Sequence, residues 1–278
     1  MRVFAPLAFL LLFFAAPAFA DEGHPTPFDD NYDAMSVVDE ALAEANRDEK
    51  RVLLVLGANW CHDSRGLAHH FQDVSLASML ETHYVLRFVD VGWRDQNHAI
   101  LNRFGVAAVY STPTVFIIDP NDETLLNRVD RNEWGAAASA KIEDIQAYFE
   151  RYAVQQSAPL ETVDNSLFYQ SLLIEIDLFE EEEAARLAAA YLDIGRWRAM
   201  RRDDRPEDYR DRQREADGWR RALPRQVSDL RAAARSYVVT ELQARAGDAP
   251  ISADTIADLD DADLDFSLEF VRHDSEIW

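Results

Sequence analysis

Between residues 34 and 152, short apolar runs alternate with segments of helical periodicity. Three runs predict buried strands because each is short and rich in valine, leucine or isoleucine: residues 51–57, 85–91 and 114–118. Four segments have the apolar spacing of an amphipathic helix: residues 35–45, 62–73, 96–104 and 133–152. Strands connected through helices form crossovers with a parallel pair, so this region predicts a three-layer α/β domain.

A turn motif predicts how this sheet ends. The sequence Asp119-Pro120-Asn121-Asp122 follows the third apolar run directly, and all four residues favour turns. We therefore expect residues 123–128 to return as an antiparallel strand at the sheet edge.

From about residue 157 the strand pattern stops and helical periodicity takes over. Two apolar stripes mark the helices: Phe168, Leu172, Ile176 and Phe179, then Leu230, Ala234, Tyr237 and Leu242. Residues 165–247 therefore predict an all-α domain, with a break expected at Pro224. In residues 264–270 apolar and polar residues alternate, which fits a strand or, nearly as well, a short amphipathic helix.

Residues 1–20 have the pattern of a signal peptide. Arg2 is followed by an apolar run, and Ala18-Phe19-Ala20 is a small-x-small cleavage pattern. An uncleaved membrane anchor is the alternative, because residues 3–20 carry no charge. Cleavage predicts an exported, periplasmic protein that is soluble. The expected division is a signal peptide (1–20), an α/β domain (21–156) and a helical domain with an acidic C-terminal segment (157–278).

The charge balance argues against one class of partner. The chain has 28 basic and 51 acidic residues, a formal net charge of −23. Proteins bind nucleic acid by neutralising phosphates with basic side chains, so we do not expect nucleic acid as the main partner.

The chain has a single cysteine, Cys61, which lies where the first predicted strand gives way to a helix. One cysteine cannot form an internal disulfide, so a redox role requires a thiol from another molecule. The unpaired N–H groups and the dipole of a helix N-terminus stabilise a thiolate, which is the reactive form. Ser64 lies within one turn and can donate a hydrogen bond to the sulfur. His62 either adds positive charge or is simply solvated.

Two short motifs adjoin predicted strands. Trp60-Cys61-x-x-Ser64 follows the first strand, and Thr112-Pro113-Thr114 leads into the third. Through these motifs, residues 33–153 resemble the thioredoxin family. The resemblance implies a thioredoxin-like three-layer fold, followed by a helical domain to which it does not extend.

The resemblance also implies a role for each motif residue. Cys61 is then the nucleophile, Pro113 is a cis-proline beside it, and the Thr112 backbone pairs with substrate peptide. The other expected site residues are Trp60, which shields one side, and His62, Asp63 and Ser64, which tune the thiolate.

Two residues depart from the family pattern. Ser64 replaces the second cysteine, and Val55 replaces the buried acid six residues before Cys61. Without a second thiol, a mixed disulfide at Cys61 needs an outside thiol for release, and glutathione is a candidate. We therefore expect single-thiol exchange, by reduction or isomerisation, with protein thiol or disulfide clients and no bound cofactor.

Two other functions are compatible with this organisation. A redox-inert thioredoxin fold can act as a scaffold whose helical domain holds a protein partner. A glutathione transferase has the same order of domains, although the Trp-Cys-x-x-Ser motif and the export signal argue against it.

The remaining polar and aromatic groups have structural interpretations. His69 and His70 are adjacent on a predicted helix and point in different directions, so no metal site is expected. Acidic residues 258–265 fail as a calcium loop because Phe266 stands where glycine is needed, and a solvated acidic segment is the better interpretation. Core or interdomain packing is expected for the aromatic residues of the helical region, with a client-binding surface as the alternative: Tyr191, Trp197, Trp219 and Tyr237.

Overall fold

A three-stranded sheet forms the centre of the amino-terminal unit in the computed structural model, which describes residues 25–29, 33–153, 162–275 and 278. The strands are β1 (Arg51–Gly57), β2 (Tyr84–Asp90) and β3 (Thr114–Ile118). β1 is central, parallel to β2 and antiparallel to β3. The three strands predicted from the apolar runs are confirmed to within one residue. The expected signal peptide lies outside the described residues.

Helices cover both faces of the sheet. They are α1 (Ala34–Arg47), α2 (His62–His70), α3 (Val74–His83), α4 (His98–Arg103) and α5 (Ile142–Ala153). Successive side chains of a strand point to opposite faces. Val52, Leu54 and Leu56 accordingly pack with α1 and α4, while Leu53 and Val55 pack with α2, α3 and α5. The three-layer architecture is confirmed, and α3 is an addition that the periodicity did not predict.

The edge strand expected at residues 123–128 is wrong. One isolated bridge, between Ile118 and Leu125, stands in its place. The Asn127 side chain donates to Val115 O at 2.8 Å and accepts from Ile117 N at 2.8 Å. Because this amide occupies backbone groups that a partner strand would need, the ladder does not extend.

The single long helix expected at residues 133–152 is also wrong. A 3-10 helix spans Glu133–Ser139, and α5 starts afresh at Ile142. The 3-10 helix lies against α2, where a Cβ on Gly66 would approach Ala138 Cα to 2.5 Å. This close contact holds the segment apart from α5 and explains the break.

The carboxy-terminal region is a helical hairpin, α6 (Leu167–Ala199) and α7 (Tyr209–Ala246), followed by α8 (Ala253–Asp260). The expected all-α region is confirmed. The break expected at Pro224 is wrong, because Leu223 and Val227 are both buried in the hairpin core and keep α7 continuous. Packing is likewise confirmed for the four aromatic residues, all of which are buried in or packed against this core.

Residues 264–270 form an extended segment that is neither strand nor helix. The alternation of apolar and polar residues corresponds to alternating burial. The apolar residues lie half-buried against the hairpin core, and the polar residues between them are exposed. The segment therefore covers the helical core without pairing to another strand.

Asp260 corrects the interpretation of the acidic segment. Its carboxylate accepts hydrogen bonds from Ser166 Oγ at 2.7 Å, Leu167 N at 2.9 Å and Phe168 N at 3.0 Å. Asp260 therefore caps the N-terminus of α6 rather than facing only solvent.

The two units are in contact. Ala108 and Tyr110, from the loop before β3, are buried in the hairpin core. Arg131 pairs with Glu180 of α6 at 2.7 Å, and Glu180 also accepts from the Tyr110 hydroxyl at 3.2 Å. The domain boundary expected at residues 156–157 falls outside the described residues and stays a prediction. In the described part of the chain, no helix has the length and hydropathy needed to cross a membrane.

Candidate functional site

Cys61 stands at the turn between β1 and α2. It is the N-cap residue of α2, and its own N–H donates to Ala58 O at 3.0 Å. The side chain is 8% exposed, and Sγ lies 3.1 Å from Thr112 O as a hydrogen-bond donor. The sulfur is therefore close to the first turn of a helix, where the N–H groups and the dipole favour negative charge.

Ser64 is fully buried one turn into α2. Its Oγ accepts a hydrogen bond from Ala58 N at 3.4 Å, and a Cβ on Gly57 would approach it to 2.6 Å. Between these described residues there is no Ser64–Cys61 hydrogen bond, so the contact expected from the sequence is not formed. Ser64 instead holds the turn that presents Cys61.

Thr112 and Pro113 lie beside the sulfur at the start of β3. Both residues are buried, and the Thr112–Pro113 peptide bond is cis. The Thr112 carbonyl accepts from Cys61 Sγ. The structure thus brings together the two motifs that lie about fifty residues apart in the sequence.

His62 and Asp63 occupy different surroundings. The Asp63 carboxylate accepts from Ala138 N at 3.1 Å, so it ties α2 to the following 3-10 helix. His62 is exposed on the first turn of α2. His62 is therefore the more exposed of the pair, and Asp63 is engaged with the 3-10 helix.

Trp60 forms one wall of the site. Its Nε1 donates to Gly92 O at 2.8 Å, and its ring stacks on Trp93 at 4.5 Å between centroids, with the planes 5° apart. Both rings remain partly exposed, at 39% for Trp60 and 46% for Trp93. An aromatic shelf, Trp60 with Trp93, therefore adjoins the cysteine.

Arg94 is a site residue that sequence reasoning missed. Its Nη2 donates to Thr112 Oγ1 at 3.2 Å, and its guanidinium lies over the Trp60 ring at 5.2 Å. The backbone has φ +71°, a region that non-glycine residues adopt at a cost and that clusters at functional sites. No motif marks Arg94, because it lies in a loop, and loop residues have no periodic pattern of apolar side chains in the sequence.

The charge of Arg94 is only partly balanced. Burial lowers the pKa of Arg94, and the nearby Arg220 lowers it further, while Tyr191, Asp217 and Cys61 act in the opposite direction. Its Nε has no hydrogen-bond partner, and no carboxylate among the described residues lies within ion-pair distance. A desolvated guanidinium remains charged, so this arrangement favours an anion close to the sulfur.

The helical hairpin reaches the same site with long side chains. Arg220 of α7 donates to Tyr110 O and, through Nε, to the Tyr191 hydroxyl at 3.0 Å. That hydroxyl donates to Asp217 at 2.7 Å, which places Asp217 beside Arg220. Arg198 of α6 lies over the Trp93 ring at 4.2 Å. Sequence periodicity identified these helices but not their approach to Cys61.

No group of three or more histidine, cysteine or carboxylate side chains gathers to form a metal site within the described ranges. His70 instead lies 3.2 Å from Ala137 O through Nε2. The site therefore consists of a thiol, backbone carbonyls, an aromatic shelf and arginines.

Two comparisons with known proteins gave a match. A solved structure, described as a disulphide isomerase from Xylella fastidiosa Temecula1, is 25% identical, with a TM-score of 0.43 over 48% of this chain and 100% of that chain. Comparison with the curated proteins gave no match. A family model described as thioredoxin-like matches residues 33–120, a range that contains both motifs and ends before the helical hairpin. The amino-terminal unit of this chain is a thioredoxin-like domain.

Proposed function

We propose that this protein carries out thiol–disulfide exchange through Cys61 alone. The observation that carries the proposal is the position of the thiol, at the N-cap of α2 and 3.1 Å from Thr112 O beside Pro113. A helix N-terminus favours negative charge, and the thiolate is the attacking species in exchange.

The exchange proceeds in two steps. The Cys61 thiolate attacks one sulfur of a substrate disulfide, a new S–S bond forms, and the other half leaves as a thiolate. An external thiolate then attacks the mixed disulfide and releases Cys61. The two steps together move one disulfide bond between external molecules, and Cys61 ends in its starting state.

The surroundings of Cys61 support release by an external thiol. Ser64 has no sulfur and is engaged with Ala58, so it cannot attack the mixed disulfide. Val55 is fully buried among apolar residues where a dithiol enzyme of the family holds an acid. Both departures remove parts that serve a second thiol. Glutathione or a protein thiol outside the cytoplasm is the proposed partner, in keeping with the signal-peptide pattern.

Mixed-disulfide formation by the purified chain tests the proposal. Incubation of the folded protein with hydroxyethyl disulfide should give one adduct by intact mass, which a reducing thiol removes. Cys61→Ala should give none. If folded protein stays unmodified while urea-unfolded protein reacts fully, single-thiol exchange is excluded.

A restored second thiol sharpens the same test. Ser64→Cys should release hydroxyethyl thiol from its own adduct without added thiol, because the new sulfur lies one turn from Cys61. Ser171→Cys is the matched control, since it adds an exposed thiol at the far end of α6, about 40 Å along the helix from Arg198. Equal release rates in the two variants would contradict the proposed geometry.

A redox-inert scaffold is the second candidate, and the burial of Cys61 favours it. The thiol is 8% exposed and already hydrogen bonded, so a structural role for it is physically reasonable. A scaffold predicts that Cys61→Ala leaves partner capture unchanged, whereas an exchange protein loses its covalent complexes.

A further inference from the structure

Two arginines without carboxylate partners contact the aromatic shelf next to Cys61. Arg94 lies over Trp60, and Arg198 lies over Trp93. Arg94 Nε and Arg198 Nη1 are buried and have no hydrogen-bond partner, and neither side chain forms an ion pair with any described residue. Desolvated cations without a counterion are costly, which points to an anion that completes the site when bound.

The acids near these arginines are already engaged. Asp217 accepts from the Tyr191 hydroxyl and lies 3.7 Å from Arg220. Asp95 accepts from Trp93 N at 2.8 Å and packs against Gly195 of α6. Of these charged groups, three arginines (Arg94, Arg198 and Arg220) stand against two carboxylates (Asp95 and Asp217), an excess of one positive charge in a chain whose overall charge is −23.

The hairpin also occupies the backbone that an extended client would use. Strand addition to a sheet edge depends on free main-chain carbonyl and N–H groups. Tyr110 O, two residues before Thr112, accepts from Arg220, and Thr112 O accepts from Cys61. Reaction of Cys61 would release the Thr112 carbonyl but not the Tyr110 carbonyl. An extended protein segment would therefore have to compete with Arg220 for Tyr110 O, whereas a small disulfide needs no such main-chain pairing.

We infer that Cys61 exchanges with small, negatively charged thiols and disulfides, whose carboxylates are recognised by Arg94 and Arg198. The inference rests on the proposed exchange function and names its substrate class. In the step itself, the Cys61 thiolate attacks the anionic disulfide, one S–S bond forms as another breaks, and the leaving half departs as a carboxylate-bearing thiolate.

Three size-matched disulfides test the inference: dithiodiglycolate (anionic), hydroxyethyl disulfide (neutral) and cystamine (cationic). The second-order rate of adduct formation is measured for each with the folded chain, then divided by the rate with the same chain in urea to remove intrinsic reactivity. At about 0.1 M salt the Debye length of roughly 10 Å screens remote acids more than the adjoining arginines. The normalised rate for the anion should exceed that for the cation about tenfold.

Arg94→Met should reduce this anion-to-cation ratio severalfold, and Arg94→Lys should retain most of it. Arg196→Met is the matched control, because Arg196 is exposed on α6 and pairs with Asp193; it should leave the ratio unchanged. The ratio is insensitive to a uniform loss of reactivity, so it separates recognition from a structural effect.

Arg198→Met provides a second test from the other unit and should lower the ratio in the same direction. A ratio near one, or a preference for cystamine, in the wild-type chain would overturn the inference while exchange with the neutral disulfide still stands. Failure of all three disulfides would instead overturn the exchange function on which the inference rests.

Discussion

The thioredoxin-like unit builds the Cys61 site from its own strand ends, whereas the helical hairpin reaches that site only with long side chains. Cys61 and Thr112 are held by the turns that follow β1 and precede β3, so their positions are fixed by backbone. Arg198 and Arg220 extend from α6 and α7 across the contact between the units. The difference teaches that the sulfur belongs to one unit, while the arginines around it come from both units.

The largest expected effect concerns whether the two units are stabilised separately. Phe149 is fully buried among aromatic rings of the thioredoxin-like unit, and Leu187 is fully buried in the hairpin core. Phe149→Ala should cost about 4 kcal/mol and Leu187→Ala about 3 kcal/mol, each from a cavity in a packed core.

Urea unfolding followed by near-UV circular dichroism and by Cys61 alkylation measures both variants. If the units fold separately, Leu187→Ala should lower the urea midpoint of the hairpin transition. The urea concentration at which Cys61 becomes open to alkylation should stay unchanged. A single coincident transition in both variants would contradict separate stabilisation of the two units and show that the chain unfolds as one cooperative unit.

The contact between the units can be tested with two glycines. A Cβ on Gly195 of α6 would collide with Asp95, which belongs to the loop that carries Trp93 and Arg94. Gly218 of α7 has nothing within 4 Å of such a Cβ. Gly218→Ala should stabilise the protein by about 0.5–1 kcal/mol through helix propensity, while Gly195→Ala should be less stable than Gly218→Ala by about 1–2 kcal/mol.

Thermal unfolding measures the stability difference, and the disulfide charge ratio reports on the loop. Gly195→Ala should change that ratio because Asp95 must move, whereas Gly218→Ala should not. Equal stability and equal ratios would mean that α6 does not restrain this loop.

The smallest effect concerns the cap of α6. Burial acts to raise the pKa of Asp260, but hydrogen bonds from Phe168 N, Ser166 Oγ and Leu167 N lower it overall. A lowered folded-state pKa means that the carboxylate stabilises the protein above the unfolded value of about 3.9, and that this contribution is lost as pH falls through the folded value.

Asp260→Asn should therefore cost about 1 kcal/mol at pH 7, in the range of a helix cap, and progressively less towards acid pH. Denaturant midpoints of both proteins at pH 7 and pH 3 measure the difference. An equal loss at both pH values would assign the effect to geometry rather than to charge.

Much of the thioredoxin-like unit could be predicted from the sequence, because β1 carries its information locally. A run of six apolar or small residues after Arg51 identifies a strand buried on both faces, and the motif after it places Cys61 at a helix start. The helices of the hairpin were equally visible in their apolar spacing.

The features that the sequence did not predict share a physical cause. In each, a side chain takes the place of a backbone partner or contacts residues far away in the sequence. Asn127 takes the hydrogen bonds of a missing strand, and Asp260 caps a helix that begins ninety-odd residues earlier. Arg94 joins the site through a left-handed loop residue. Periodicity describes what one segment buries, and it carries no information on such distant pairings.

The long-range cap has a consequence for the order in which the chain is synthesised. Every residue of the cores around β1 has been made by residue 153, whereas α6 lacks its cap until residue 260 has been added. Domains generally fold as units in the order of their synthesis. The thioredoxin-like unit, with Cys61 in its turn, can therefore fold before the completed hairpin holds Arg198 and Arg220 against it.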